Sequence, residues 1–257
     1  TLLWTHLSPW GSVGHIGDLY TTAIGDCYLV SSPVGIKKTT SGGASVYLNI
    51  TSPACAYGYM NVSESCDRTK LVATGIFSPG GATYGMIGNV DTTGTTNLLS
   101  NNTLVPASID ILAQTTGNDG NYYLLSENSL IAVNQSLGVL YTTLAGISFT
   151  VYGPSYRVFG FGSQGMNIIA ANSSHIYLQN GTTVQKRLIG NGTLGGTATI
   201  PGGSANSIYW GLYTEPNNGG LVLDGCNNLY VGSGNGIYQF DANLNLLSSV
   251  PTPGAVY

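Results

Sequence analysis

Apolar positions in this chain fall in short runs broken by Gly, Asn, Asp, Ser and Thr, and no stretch keeps helical periodicity over three turns. The best-formed segment is Gly220–Leu247 with the residues just after it. Leu221–Leu223, Leu229–Val231 and Ile237–Phe240 read as short strands, and Leu246–Val250 as a fourth. Asn227, Asn228 and the stretch Gly232–Gly236 lie between them. Gly and Asn suit such turns because they accept positive φ with little strain. The pattern predicts a four-stranded antiparallel meander. Further strands are predicted at Leu19–Thr22, Cys27–Val30, Ile36–Thr39 and Val46–Ile50, with Pro33–Gly35 as a turn.

The unit recurs. Gly236-Ile-Tyr-Gln-Phe-Asp-Ala-Asn-Leu-Asn-Leu-Leu aligns with Ser129-Leu-Ile-Ala-Val-Asn-Gln-Ser-Leu-Gly-Val-Leu, with matched apolar positions and a polar turn at the same place. His175-Ile-Tyr-Leu-Gln is a looser third copy of that strand, and Cys27-Tyr-Leu-Val and Tyr84-Gly-Met-Ile are fainter ones. Self-similarity at a period of roughly 40–50 residues marks a propeller array. Ile109–Leu144 is the clearest interior unit, a further one runs from Arg157 to Ile189, and a sixth is expected around Ile208–Tyr213. The expectation is an all-β chain, a single β-propeller domain of five or six blades over residues 1–257. The alternative is two β-sandwich domains hinged at Gly190–Ser207, the most flexible-looking stretch. Asn228-Leu-Tyr-Val-Gly-Ser-Gly-Asn-Gly-Ile-Tyr-Gln-Phe-Asp resembles the repeat of β-propellers with PQQ-like or related blades. The resemblance implies the fold. The tryptophan-docking pattern of the quinone-binding members is not evident, so no cofactor is expected.

Composition changes the picture of the surface. Only 7% of the 257 residues are charged, against about 25% in an average soluble domain. Hydroxyls, amides or attached groups must therefore keep the surface wet. Sequons begin at Asn49, Asn61, Asn101, Asn134, Asn172, Asn180 and Asn191, and N-glycans are expected on several of them. Chance also makes sequons in a chain this rich in Asn, Ser and Thr. Low charge, abundant Tyr and Thr and many sequons together resemble the composition of archaeal secreted or virion surface glycoproteins. Of the cysteines, Cys55 and Cys66 flank a short loop and suit a local disulfide. Cys27 and Cys226 are expected to bridge the first and last units of a closed ring, which would add roughly 2–5 kcal/mol. Four cysteines allow three pairings. No CxxC is present, which argues against zinc. The chain starts at Thr1 without a basic-then-apolar leader and is expected to be a mature, extracellular product. No apolar run is long enough to span a membrane.

The motifs that name chemistry are weak. Gly160–Gly165 matches GxGxxG, but the residues after it read as a strand where a dinucleotide site needs a helix. Asp241-Ala-Asn-Leu-Asn begins like a calcium loop yet lacks the later Gly and the bidentate Glu, so turn hydrogen bonding is the better reading. His6, His15 and Asp18 are close in sequence, but no metal site is assigned. Asp26, Asp119 and Asp224 stand just before the second strand of their units, which suits turn caps better than catalysis. The seven Lys and Arg form no stripe and the net charge is −4, which argues against nucleic acid. Trp4 and Trp10 mark Thr1–Gly14 as a strand that closes the ring or docks into a neighbouring subunit. The expected function is non-enzymatic: a structural or adhesive surface protein, in a filament, cell-surface layer or virion spike, whose partners are itself or other surface proteins. Two alternatives are a secreted propeller enzyme acting on carbohydrate and a lectin-like module.

Overall fold

The computed structural model describes residues 15–22, 24–32, 35–48, 59–68, 70–77, 84–91, 103–104, 111–126, 129–146, 168–180, 182–202, 207–210, 213–216, 220–233 and 236–253. Every regular element among them is a strand. The first sheet holds β1 (His15–Thr21), β2 (Cys27–Ser32), β3 (Gly35–Thr39) and β4 (Ser45–Leu48). The second holds β5 (Tyr59–Glu64), β6 (Lys70–Phe77), β7 (Tyr84–Asp91) and β8 (Thr103–Leu104). The third holds β9 (Ile111–Thr116), β10 (Tyr122–Ser126), β11 (Ser129–Val133) and β12 (Val139–Leu144). The fourth holds β13 (Ile169–Ala171), β14 (His175–Asn180), β15 (Thr183–Leu188) and β16 (Leu194–Thr199). A separate ladder joins β17 (Ser207–Trp210) to β18 (Tyr213–Pro216). The fifth sheet holds β19 (Leu221–Leu223), β20 (Leu229–Ser233), β21 (Gly236–Phe240) and β22 (Leu246–Pro251).

Each of these five sheets is a four-stranded antiparallel meander, the sheet type of a propeller blade. The segment expected to hide a sixth unit supplies, among the described residues, only the β17–β18 hairpin. The chain forms two compact units. One comprises Thr1–Asp110 with Ser163–Gly165, and the other Ile111–Gly162 with Met166–Tyr257.

Within the second unit the alternation of side chains across β14 shows how blades stack. Ile176 and Leu178 join a core with Tyr123, Leu125, Leu130 and Ala132 of the third sheet. The intervening Tyr177 faces the other way, into a core with Leu221, Leu229, Val231 and Phe240 of the fifth. The fourth sheet is therefore apolar on both faces, because each face meets another sheet. All ten residues of β10 and β11 are buried, eight of them apolar. The outer strand β12 alternates exposed and half-covered residues instead.

Two expectations are corrected here. His175-Ile-Tyr-Leu is a second strand, β14, preceded by β13, so it corresponds to Leu229-Tyr-Val in β20 and not to β21. Gly190–Ser207, the most flexible-looking stretch, contains a strand, β16, paired with β15 from Thr183↔Thr199 to Arg187↔Leu194. Gly, Thr and Ala are enough for an outer strand with little to bury, and their composition mimics a loop. Trp4, Trp10, Asn49, Cys55, Asn101 and Gly160–Gly165 lie outside the described residues.

Candidate functional site

A recurring polar feature of the described residues lies where odd-numbered strands turn into even-numbered ones. Six of the described hairpins there use the same five-residue turn: Thr22–Asp26, Thr40–Ala44, Gly117–Asn121, Asn134–Gly138, Asp224–Asn228 and Asp241–Asn245. In each, the first residue donates its N–H to the fifth carbonyl, and the fourth donates its N–H to the first carbonyl. The fourth residue is left-handed: Gly25, Gly43, Gly120, Leu137, Asn227 and Leu244, with φ from +64 to +86. Where the first residue has a side-chain oxygen, that oxygen accepts the fifth N–H, at 2.8 to 3.2 Å. Asp241 also accepts Asn243 N–H and Asn245 Nδ2–H, both at 2.8 Å, so the calcium-loop-like sequence is a capped turn. These hydrogen bonds, Asn228 and Asn245 foremost, hold the Asp224 and Asp241 carboxyls below the usual carboxylate range.

The shared turn also corrects the equivalence drawn from sequence. Asp224 occupies the first turn position, Asp119 the third and Asp26 the fifth. By the same count Cys226 corresponds to Ile24, and Cys27 to Leu229. The expected Cys27–Cys226 bridge is not formed, and both residues carry free thiols. Cys226 sits in an exposed turn while Cys27 opens a strand, so the two do not hold matching places in their sheets. The Cys55–Cys66 pair involves a residue outside the described ones.

A second signal recurs beside the turn. Tyr28, Tyr123, Tyr177 and Tyr230 each stand just inside the second strand of a sheet. Tyr123 donates to Asp119 Oδ2 at 2.6 Å, Tyr230 to Asp224 Oδ2 at 3.3 Å and Tyr177 to Ala242 O at 3.3 Å. Across the strand pair stand Lys38 opposite Tyr28, Lys186 opposite Tyr177 and Gln239 opposite Tyr230. In the second sheet Leu71 takes the tyrosine's place and is fully buried.

Two clusters grow from this arrangement. In the first unit Lys38 Nζ lies 2.9 Å from Asp26 Oδ2 and 5.6 Å from the Tyr28 ring centroid. Asp26 is only 7% exposed, and its other oxygen accepts Ser41 N–H at 3.3 Å. The Asp26 contact raises the Lys38 pKa. Glu64 belongs to the same electrostatic neighbourhood. Burial pushes its carboxyl up, Arg68 opposes that, and the Asp26 charge adds to the rise. In the second unit Arg187, 5% exposed, donates to Gln185 Oε1 at 2.9 Å, Gly192 O at 2.8 Å and Ala145 O. Its guanidinium is thus satisfied by uncharged acceptors from the third and fourth sheets, and burial lowers its pKa. Beside it Tyr141 donates to Ile189 O at 2.9 Å. Burial and the Asp119 charge push Tyr141 up to about 12. Both clusters tie neighbouring sheets or strands together, and their polar atoms point at protein partners. No group of three or more His, Cys, Asp or Glu arranged to hold a metal occurs among the described residues.

The sequons divide by environment. Asn191 is exposed, and only its Oδ1 is engaged, by Thr193 N–H at 3.0 Å. Asn134 is half-buried, with Oδ1 capping its turn. Asn172 is 6% exposed; its Oδ1 takes Ser174 N–H and His175 N–H, and its Nδ2 donates to Asn227 Oδ1 at 3.1 Å. A glycan on Asn172 would have to break that link between the fourth and fifth sheets. Asn61 and Asn180 lie in β5 and β14. His15 and Asp18 lie in β1, while His6 is outside the described residues.

The remaining surface feature is the outer strands. Val139, Leu140 and Leu144 of β12, Leu194 of β16, and Leu246, Leu247 and Val250 of β22 are all exposed. Sequence reading missed them because an apolar residue on a strand is ordinarily assigned to the core.

No family model matches the chain, and no curated protein matches it. Solved structures do. A chain of the "Mitotic Checkpoint Complex" crystal structure superposes with TM-score 0.61 at 11% identity, over 93% of this chain and 64% of that one. A protein of unknown function from Bacteroides caccae gives 0.58 at 12% identity, over 97% and 85%. BBS1N, solved in complex with ARL6DN, gives 0.56 at 10%, over 93% and 67%. The present chain thus spans under two thirds of the length of the first. At these identities the likeness shows the fold alone: a propeller-like arrangement of antiparallel sheets.

Proposed function

We propose that this chain is a non-enzymatic, extracellular structural or adhesive protein that works through protein–protein contacts, with itself or with other surface proteins. The observation that supports this best is the row of exposed apolar side chains on uncharged outer strands, above all Leu246, Leu247 and Val250 on β22. Contiguous apolar surface on a charge-poor protein favours burial against another protein. The chemistry of the turn ends supports the same reading, since Asp26, Asp119, Asp224 and Asp241 are each hydrogen-bonded within the fold. N-glycans on the accessible sequons, Asn134 and Asn191 among them, would supply the hydration that a 7% charged chain lacks. Trp4 and Trp10 fit the same role as docking residues.

Negative-stain microscopy and native mass measurement of the secreted material test the reading. Oligomers, filaments or particle-bound protein, with mass above 26.7 kDa per chain from glycans, are the expected result. A lone monomer of unmodified mass would refute it. One observation favours the carbohydrate-enzyme alternative: burial, with a smaller contribution from the nearby Asp26 charge, pushes the Glu64 carboxyl up. Glu64→Gln assayed on a polysaccharide panel decides that point, since only an enzyme has turnover to lose.

A further inference from the structure

Side chains tie the fourth and fifth sheets to each other at two levels. Beside the five-residue turns, Tyr177 and Lys186 both donate to Ala242 O, at 3.3 and 3.1 Å, and Asn172 donates to Asn227 Oδ1 at 3.1 Å. Towards the far end of β14 the tie is a buried amide. Gln179 is fully buried, and its Nε2 donates to Gly232 O at 2.8 Å. A carbonyl can only accept, so this bond settles which end of the amide is nitrogen. Oε1 is buried too and meets no donor among the described residues. An acceptor stranded in the interior carries the full cost of its lost hydration. The third sheet shows that the place does not demand an amide. Leu125 follows Tyr123 at the same spacing as Gln179 follows Tyr177, and it is fully buried in the core shared with the fourth sheet.

Across the joint stands another buried polar side chain. β20 pairs with both of its neighbours without a bulge, so its side chains alternate strictly between the two faces. Leu229 and Val231 pack into the core with Tyr177 and Val184. Ser233 therefore faces the fourth sheet with them, and it is fully buried. It directly follows Gly232, whose carbonyl holds the Gln179 amide. A serine at the end of a row that begins with Leu and Val fills less of the space between the sheets. Its hydroxyl oxygen keeps acceptor capacity wherever its own proton goes.

We propose that one water molecule is bound in this joint, donating one hydrogen to Gln179 Oε1 and the other to Ser233 Oγ. Both oxygens are neutral and the ligand has to donate to each, which water does in the smallest volume. A metal ion would need several more oxygen ligands. Buried waters serve otherwise unsatisfied polar groups in this way. Here the water extends the tie between β14 and β20 from Gly232 to the residue after it.

A crystal structure of the full chain at near-atomic resolution tests the site directly. The expected result is an ordered water about 2.7–3.0 Å from both Gln179 Oε1 and Ser233 Oγ. Empty density between the two oxygens, or a Gln179 Oε1 that meets a protein donor, would overturn the proposal. Melting midpoints of the full chain carrying Gln179→Leu, Ser233→Ala or both test it in solution. Either replacement alone should expel the shared water, so the double variant should lose clearly less in Tm than the two single losses added together. Additive losses would show that the two side chains share nothing. The crystal structure uses the unaltered chain, so it decides the question even where a variant fails to fold.

Discussion

Replacing Gly192 by alanine probes how the third and fourth sheets lock together. Gly192 holds φ +70 and closes the β15–β16 turn by donating its N–H to Leu188 O at 2.8 Å. A Cβ at this position would overlap Thr143 Cγ2 and lie 2.9 Å from Tyr141 Cε2. The Tyr141 ring is held by its hydroxyl's bond to Ile189 O, so it cannot swing aside without giving up that bond. The carbonyl of Gly192 is a fixed point as well, since Arg187 donates to it at 2.8 Å. Left-handed backbone costs a non-glycine residue about 1–2 kcal/mol, and overpacking adds about 1–3 kcal/mol. Gly192→Ala should therefore destabilise the protein by roughly 2–5 kcal/mol, or about 4–20 °C in Tm for a chain of this length. Gly196→Ala is the control: it lies on β16 with nothing within 4 Å of its Cβ. It should change stability by less than about 1 kcal/mol, in the stabilising direction. Urea unfolding followed by intrinsic fluorescence measures both, with unchanged m-values showing that the unfolded states compare. A Gly192→Ala variant within about 0.5 kcal/mol of wild type would refute the proposed interlock.

Arg187→Ala should cost about 2–4 kcal/mol in the same assay, because it strands the acceptors Ala145 O, Gly192 O and Gln185 Oε1 in the interior. Arg187→Lys should fail to restore stability, since one ammonium cannot span the geometry of a guanidinium fork. Asp224 and Asp241 have folded pKa values below the ordinary range, so their contribution to stability is present above that range and is lost as pH falls through the folded pKa. Melting midpoints measured from pH 6 down to about pH 2 should show a shallower acid loss for Asp241→Asn than for wild type. Glycopeptide mapping of the secreted protein should find Asn191 modified and Asn172 bare, and a glycan on Asn172 would contradict its buried bond to Asn227.

The meanders were legible in sequence wherever both faces of a strand are covered. Tyr122–Ser126 and Ser129–Val133 are wholly buried and carry runs of apolar residues, and the Gly220–Leu247 unit carries its turns in Asn and Gly. Outer strands were not legible. Leu194–Thr199 has little to bury, so its Gly and Thr content looks like a loop. The turn register failed for a different reason. Leu137 and Leu244 occupy the left-handed position that sequence reading assigns to Gly or Asn, and their burial offsets the backbone strain. The turns at Asp26, Asp119 and Asp224 do carry Gly25, Gly120 and Asn227 at that position, but counting from the strand that follows made the three aspartates look equivalent and Cys27 look like the counterpart of Cys226. The inter-sheet lock at Arg187 carried no sequence signal, because its acceptors are mostly backbone carbonyls and those have no letter in the sequence.

The five-residue turn has a consequence for how such a chain can change over time. It asks for one residue that enters the left-handed region and, three positions earlier, for one oxygen-bearing side chain, and it accepts Thr, Asn or Asp there and even dispenses with it at Gly117. The neighbouring tyrosine is replaceable by Leu71 in the second sheet. Each repeat therefore fixes very few letters of its sequence, and the copies are free to diverge from one another and from relatives. A chain built this way keeps its architecture at 10–12% identity to other solved structures while matching no family model. The architecture is written in hydrogen-bond pattern, which constrains few letters of the sequence.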